Sequence, residues 1–303
     1  MAAHETSRAA DATGPLEDED RVLRRKRLRA ARKAELAARE DFFAQARPLT
    51  PFLATRVGEE LFFVSTEDLG VGRRVFVRSW RKDMTTLAKA NARLAELGVS
   101  LPEDPVFVDV GANIGTTTVM ALRRHPFSAA VALEPSPDNF RLLRLNLTAN
   151  GLDASVQALP VAAGDRHCEV ALDLSRSNHG GHRVSDAAPA GDAVTAECIT
   201  LDGLVDQGVV DPVRVGLLWI DAPGSEGSAL LGAGRLLEAG TPTVVSLRPG
   251  LVHPGDPLAE LLTTHFTDAV ELRKAERRLP IHELTTLSSV YEHKGDVLLV
   301  RRA

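Results

Sequence analysis

A glycine-containing turn that begins with an acidic residue carries the clearest chemical signal in the chain. Residues 109–115 read DVGANIG and follow the apolar run 106–108, VFV. Glycines at such a turn let the backbone approach a ligand closely and adopt positive φ angles. A pyrophosphate group favours the N-terminus of a helix. Here the Asp109 carboxylate would repel its negative charge. A zwitterionic amino acid suits the turn better, because Asp109 can face its ammonium while backbone N–H groups face its carboxylate.

Two further segments extend this candidate site. Glu134 lies 25 residues after Asp109, where its carboxylate can accept two hydrogen bonds from a ribose diol. NAD sites use the same device, so Glu134 alone does not separate the two cofactors. Residues 161–165, VAAGD, are small and leave room for a flat adenine. Together the three segments predict a pocket for S-adenosylmethionine (SAM), with its amino-acid end held by residues 109–115.

These segments need a parallel sheet to bring them together. From residue 105 onward apolar runs alternate with amphipathic stretches, which predicts α/β architecture with helices on both faces of a mainly parallel sheet. The expected strands cover residues 106–110, 129–134, 155–163, 213–221, 243–247 and 296–301, the last at a sheet edge. The expected helices cover residues 116–124, 137–150 and 225–238. Ligands bind beyond the carboxyl ends of such strands.

The first hundred residues divide into three segments. Residues 1–20 are small and polar, and we expect a disordered tail. Residues 21–46 predict a charged helix with a weak apolar stripe. Residues 47–104 predict a lead-in of two strands, at 60–65 and 74–77, and a helix near 84–97 that pack on the catalytic domain, residues 105–303.

The motifs resemble those of the FkbM family of SAM-dependent methyltransferases. The matching pieces are VFVDVGANIGTTTV at 106–119, ALEPSPDNFRLLRLNLTANG at 132–151, VAAGD at 161–165, TLDGL at 200–204, LLWIDAPGSEGSALLGAGRLLE at 217–238 and the lead-in FVSTEDLGVGRRVF at 63–76. The resemblance covers about residues 60–240. It implies a Rossmann-like class I methyltransferase fold with a reversed hairpin at the sheet edge, and methylation of hydroxyl groups on small molecules, sugars or polyketides. The candidate cofactor residues are Asp109, Gly111, Ala112, Asn113, Gly115, Glu134, Pro135, Asn139, Ala162 and Asp165.

The chain departs from the family at two positions where a carboxylate is usual. Pro223 stands in the Asp-x-Glu-Gly-x-Glu stretch after the fourth strand, and Ser246 stands at the end of the fifth. O-methylation needs a base or a metal to take the acceptor's proton. The remaining candidates are Asp221, Glu226 and His179, with His182 and His253 as substitutes. No metal site is predicted.

Several alternatives stay open. A non-catalytic family member that binds SAM and acts as a partner or scaffold subunit would explain the lost carboxylates. A nicotinamide-dependent oxidoreductase would use Glu134, but residues 109–115 lack the GxGxxG spacing. The basic start of residues 21–46 invites a nucleic-acid partner, yet the net charge is −5 and no Asn-Pro-Pro-aromatic signature is present.

Composition limits the setting. Two cysteines and no evident targeting or membrane-spanning segment predict a cytoplasmic protein. The expected partner is a small-molecule hydroxyl acceptor, and a homo-oligomer is left open.

Overall fold

The chain is described from a computed structural model, which covers residues 15–79, 82–175, 177–185, 194–247, 255–272, 277–286 and 295–302. It divides into two compact units, Met1–Leu49 and Thr50–Ala303. No helix within these ranges is long and apolar enough to cross a membrane.

The first unit contains one long helix, α1 (Pro15–Ala46). The helix begins inside the segment expected to be disordered, so that expectation was wrong for residues 15–20, while residues 1–14 lie outside the described residues. The sequence accounts for this start, because a proline followed by four acidic residues at 17–20 favours a helix N-terminus. All side chains at 21–35 are exposed.

The second unit contains the remaining elements. Its strands are β1 (Phe52–Val57), β2 (Glu60–Ser65), β3 (Val106–Val110), β4 (Ala129–Leu133), β5 (Val156–Leu159), β6 (Ala162–Ala163), β7 (Cys168–Asp173), β8 (Arg183–Ser185), β9 (Val194–Ile199), β10 (Val215–Ile220), β11 (Thr243–Leu247), β12 (Asp268–Glu271), β13 (Arg278–Pro280) and β14 (Gly295–Val300). Its helices are α2 (Val71–Arg78), α3 (Lys82–Glu96), α4 (Thr116–Arg124), α5 (Pro137–Ala149), α6 (Leu201–Asp206), α7 (Glu226–Leu231), α8 (Gly234–Glu238), α9 (Pro257–His265) and α10 (Ile281–Thr286).

An eight-stranded sheet in the order β13-β12-β14-β11-β10-β3-β4-β5 forms the centre of the second unit. Strands β11, β10, β3, β4 and β5 run parallel, and β14 runs antiparallel to both of its neighbours. This confirms the predicted α/β class with a mainly parallel sheet. The final strand was wrongly expected at an edge. It lies between β11 and β12 with all six residues buried, which its apolar composition permits.

Alternate residues of the central strands face opposite sides of this sheet. Val108 and Val110 of β3 and Leu218 and Ile220 of β10 belong to one large apolar cluster. Because strand side chains alternate, residue 109 faces the opposite side of the sheet. There Thr118 of α4 donates a hydrogen bond to its carboxylate.

Three predicted elements were wrong in type or extent. Residues 74–77 are helical, because the β-branched and aromatic residues of α2 are spaced so that Val71, Val75 and Phe76 bury one face. The strand expected at 155–163 is two strands, β5 and β6, separated at Pro160, which has no N–H to donate. The helix expected at 225–238 is broken into α7 and α8 around Gly232.

A second sheet in the order β6-β9-β7-β8 was not anticipated. It packs small and apolar residues, including buried Ala163 and Leu172, beside the central sheet's ligand-binding edge. Cys168 and Cys198 are free thiols that oppose each other across β7 and β9.

Candidate functional site

A pocket opens at the carboxyl ends of β3, β4 and β10, with a cavity volume of about 70 Å³. The lining residues come from the loops after these strands, from the second sheet and from the segment after β7: Val110, Gly111, Asn113, Glu134, Pro135, Asn139, Val161, Ala162, Ala163, Leu172, His179, Gly180, His182, Val184, Asp221, Ala222, Pro223 and Ser225.

The turn after β3 is folded tightly against the neighbouring strands. Backbone N–H groups of Gly111 and Ala112 both donate to the Leu133 carbonyl oxygen, each at 3.0 Å. Gly111 has a φ of +83°, and a Cβ there would lie 2.5 Å from the Asp221 carbonyl oxygen. Glycine is therefore required at this position by both conformation and space.

The end of the same turn begins α4. Gly115, at φ +83°, precedes the first helical residue, and a Cβ there would meet Leu143 Cδ1 at 2.7 Å. Asn113 adopts a φ of +53°, a left-handed conformation that asparagine tolerates better than most residues. These backbone conformations aim the Asn113 side chain into the pocket.

The Asp109 carboxylate is placed differently from the sequence interpretation. It is 1% exposed and accepts a hydrogen bond from Thr118 Oγ1 at 2.5 Å, beneath α4. Asp109 is not among the residues that line the pocket, and neither are Ala112, Gly115, Asp165 and Glu226. The structure therefore brings eight of the candidate residues to the cavity wall: Gly111, Asn113, Glu134, Pro135, Asn139, Ala162, His179 and Asp221.

Glu134 is a buried carboxylate at the pocket wall. Its Oε2 accepts from the Asn113 N–H at 2.8 Å and its Oε1 from the Ser136 N–H at 2.9 Å. Burial raises the pKa of Glu134 to about 7, against the opposing effect of hydrogen bonds from Ser136, Asn113 and the Asn139 side chain. Three of the roughly four acceptor positions of the carboxylate are thus occupied, and one stays open to a ligand.

Two asparagines flank Glu134. Asn113 Nδ2 and Asn139 Nδ2 both donate to the His179 carbonyl oxygen, at 3.2 Å and 3.0 Å. Their Oδ1 atoms are buried and have no hydrogen-bond partner among the described residues. A buried acceptor without a donor is costly, so these oxygens indicate a place for a ligand that carries hydroxyl or amine donors.

Small residues form β6, the last part of the third strand expected from the sequence. Ala162 and Ala163 are buried and line the pocket. Asp165 lies beyond them, exposed, where its N–H donates to Ser228 Oγ at 3.0 Å and its Oδ1 accepts from the same hydroxyl at 3.1 Å. Asp165 therefore ties this loop to α7 and does not reach the cavity.

Two carboxylates follow β10 and have different surroundings. Asp221 is half-buried at the strand tip and lines the pocket. Glu226 is 1% exposed, and its Oε2 accepts from the Gly224 N–H at 2.8 Å. Glu226 therefore shapes the turn at 222–225, while Asp221 faces the cavity.

Two histidines form the side of the pocket opposite the strands. The rings of His179 and His182 stack with centroids 5.4 Å apart. His182 Nδ1 accepts from the Ser175 N–H at 3.0 Å, which leaves the ring proton on Nε2. Burial, with a contribution from His179, lowers the pKa of His182 to about 4, so this ring is neutral at pH 7.

Comparison with known proteins decides the family. The family model described as "Methyltransferase FkbM domain" matches residues 109–274, more than half of the chain. The chain belongs to the FkbM methyltransferase family. The resemblance read from the sequence motifs is thereby confirmed, and with it the Rossmann-like class I methyltransferase fold.

Individual relatives of this FkbM protein match over limited lengths. Methyltransferase sdnD of Sordaria araneosa is 38% identical over 60 residues, which is 20% of this chain and 23% of that protein. The chain thus spans about a quarter of the length of this curated relative. The structure of Methyltransferase FkbM from Methylobacillus flagellatus KT aligns with a TM-score of 0.43 and 15% identity, over 66% of this chain and 44% of that one. The O-methyltransferase from Bacillus cereus in complex with SAH aligns with a TM-score of 0.40 and 13% identity, over 74% and 82%.

The two positions where this FkbM chain lacks the usual carboxylates have distinct surroundings. Pro223 lines the pocket. Ser246 is buried and donates from Oγ to Asp296 Oδ1 at 2.9 Å, across the β11–β14 pair. A carboxylate therefore lies opposite Ser246, on the neighbouring strand, although neither residue lines the pocket. His253 lies outside the described residues.

Sequence reasoning missed one residue that organises the site of this FkbM protein. Asp68, in the lead-in, is 1% exposed and accepts the His179 N–H at 3.1 Å. Aspartate is common near helix N-termini, where its carboxylate accepts backbone N–H groups, as Asp68 does from Gly70, Val71 and Gly72. The sequence pattern instead predicts a strand at 74–77, with no helix for Asp68 to precede.

Proposed function

We propose that this chain is a SAM-dependent methyltransferase that methylates a hydroxyl group on a small molecule, sugar or natural product. The observation that carries the proposal is the pocket at the carboxyl ends of β3, β4 and β10, where Glu134, Asn113 and Asn139 place acceptor oxygens beside one cavity.

The residues around Glu134 fit the ribose of SAM. A vicinal diol offers hydroxyl donors, and the Glu134 carboxylate has one of its roughly four acceptor positions open after the bonds from Asn113, Ser136 and the Asn139 side chain. The unsatisfied oxygens of Asn113 and Asn139 offer further acceptors for the cofactor's hydroxyl or ammonium groups. Buried Ala162 and Ala163 leave a flat wall for the adenine ring.

The chemistry follows from position. Bound SAM supplies an electrophilic methyl group, and the protein supplies proximity and orientation of the acceptor. Asp221, which lines the pocket at the tip of β10, orients the acceptor hydroxyl or accepts its proton. The neutral His182 ring supplies an Nε2–H donor on the opposite wall.

A second candidate function is SAM binding without catalysis, in a partner or scaffold subunit. Pro223 and Ser246 favour it, because each replaces a carboxylate that the family usually has. Under this alternative the cofactor pocket is retained and no methyl group is transferred.

Calorimetry with S-adenosylhomocysteine (SAH) tests the cofactor. We expect the wild type to bind SAH at micromolar concentrations and Glu134→Ala to bind it more weakly, by about 1–3 kcal/mol for lost hydrogen bonds to a charged group. Asp206→Ala, an exposed change on α6, serves as the control. Absence of SAH binding at high micromolar concentration would refute the proposal.

Turnover separates the two candidate functions. Purified protein is incubated with methyl-labelled SAM and a panel of hydroxylated acceptors. Label transfer that Asp221→Asn lowers by about 10²–10⁴-fold supports a base or orienting role for Asp221. SAH binding without transfer to any acceptor class favours the non-catalytic alternative.

A further inference from the structure

Asp68 joins two chain segments that are far apart in sequence. Its Oδ1 accepts from the N–H groups of Gly70 at 2.9 Å and Val71 at 3.1 Å, and its Oδ2 accepts from Gly72 at 2.7 Å. These bonds cap α2. The same Oδ1 also accepts the His179 N–H at 3.1 Å, so one buried carboxylate holds both the start of α2 and the segment that carries the two histidines.

The contact between the two segments extends beyond this carboxylate. The Leu69 N–H donates to the Ser177 carbonyl oxygen at 2.9 Å. A Cβ on Gly70 would lie 1.9 Å from Asn178 Oδ1, and a Cβ on Gly180 would lie 2.5 Å from Val71 Cγ2. Glycine on both sides therefore allows the turn at 68–72 and the segment 177–182, which we call the histidine segment, to pack closely.

The histidine segment is held on its other side by the proposed cofactor pocket. While the His179 N–H binds Asp68, the His179 carbonyl oxygen accepts from the side chains of Asn113 and Asn139. The backbone N–H and carbonyl groups of His179 thus connect Asp68 of the lead-in to the two asparagines beside Glu134.

We propose that Asp68 is a positioning residue for methyl transfer, which fixes the histidine segment over the pocket so that His179 and His182 face the acceptor. The inference rests on the proposed function for its chemistry, but its structural part concerns the unliganded chain. Asp68 touches neither cofactor nor acceptor and acts through His179.

Two substitutions separate the two tasks of Asp68, and a third, elsewhere, is their control. In D68S a serine hydroxyl can still accept from the Gly70 and Val71 N–H groups at the start of α2, but its shorter side chain does not also reach His179. Asparagine retains an oxygen at the Oδ1 position, which takes three of the four hydrogen bonds, so D68N is the conservative variant. Asp206→Ser removes a charge from the exposed end of α6 and serves as the control.

Amide hydrogen exchange of the unliganded protein is the first measurement. We expect peptides covering 177–182 to exchange about tenfold faster or more in D68S than in the wild type and Asp206→Ser, and D68N to restore protection. Wild-type exchange of this segment in D68S would overturn the proposal.

The titration of His182, followed by NMR with His182→Gln for assignment, gives a signature that a general loss of stability does not produce. The charged or titratable groups near this ring are Asp68, His179, Asp138 and Glu67. D68S and D68N both remove the Asp68 charge, which by itself lowers the pKa of His182. Release of the segment re-exposes the ring to water and raises its pKa toward about 6.5. We therefore expect a higher His182 pKa in D68S than in D68N, and equal values would contradict the proposal.

The experiments distinguish this inference from the proposed function. If the wild type binds no SAH, the proposed function fails whatever the exchange data show. If the wild type binds SAH and D68S leaves the histidine segment protected, only the role of Asp68 fails. With an acceptor from the panel, we expect D68S to lower kcat/KM for the acceptor by a larger factor than it raises KM for SAM. D68N should restore kcat/KM for the acceptor.

Discussion

At the scale of single residues, Glu134 is a buried carboxylate at the pocket wall. Its carboxylate is 5% exposed and accepts two backbone N–H groups, from Asn113 and Ser136. Burial still outweighs these bonds and raises its pKa to about 7. The pocket therefore contains a carboxyl group whose charge changes within the physiological pH range.

The raised pKa predicts a pH-dependent contribution to stability. The folded pKa lies above the value of 4.5 in the unfolded chain, so the folded state holds this proton more tightly. The contribution is fully present below about pH 4.5 and is lost as pH rises to about 7. Relative to Glu134→Gln, which does not titrate, the wild type should lose a few kcal/mol of unfolding free energy between pH 5 and pH 8.

Urea unfolding of both proteins at several pH values measures this difference. Taking the difference between the two variants cancels the titration of the histidines they share. A wild-type minus Glu134→Gln difference that does not change with pH would show that the Glu134 pKa is close to its unfolded value.

At the scale of elements, the site depends on turns that only a few residue types permit. Gly111 and Gly115 have positive φ, and Gly111 lies against the Asp221 carbonyl. Helix α2 depends on the Asp68 cap, and the histidine segment packs on its start. By contrast α1 has no buried side chain between residues 21 and 35.

The exposed part of α1 should be weakly stable. Most helical stability in proteins comes from packing of an apolar face, and residues 21–35 bury none. We expect their amides to exchange about a hundredfold faster or more than those of α4, whose residues 116–121 are all buried. Exchange mass spectrometry measures both in one experiment. Slow exchange at 21–35 that becomes fast on dilution would instead show that another copy of the chain covers this helix.

At the scale of the whole molecule, the residues that line the pocket all lie within one compact unit, Thr50–Ala303. The FkbM family match starts at residue 109, yet the lead-in residue Asp68 reaches the histidine segment of the same unit. The predicted boundary between residues 104 and 105 stays a prediction, but these contacts connect the two sides of it.

Ligand binding should therefore stabilise this unit as a whole. SAH at about 100 times its dissociation constant should add about 2.7 kcal/mol to the unfolding free energy. For a unit of this size that corresponds to a rise of roughly 5–10 °C in Tm. Thermal unfolding with SAH, and with NADH as the matched control, measures the effect. A larger rise with NADH than with SAH would favour the oxidoreductase alternative.

The sequence by itself determined the fold class, the family and several of the residues that line the pocket. Strand, turn and helix follow one another locally at residues 106–124 and 129–149, and their periodicity is readable without distant contacts. Gly111 and Glu134 were found because each lies at a strand end, where parallel sheets bring ligand-binding loops together.

Only the tertiary structure decided the rest, because it depends on contacts between distant segments. The strand pattern at 74–77 became helix α2 through its buried face and the Asp68 cap, and the last strand inserted between β11 and β12. Asp109 and Glu226 turned toward α4 and the 222–225 turn, away from the cavity. The hydrogen bond between Asp68 and His179 spans 111 residues, and no local propensity or spacing encodes a pairing at that distance.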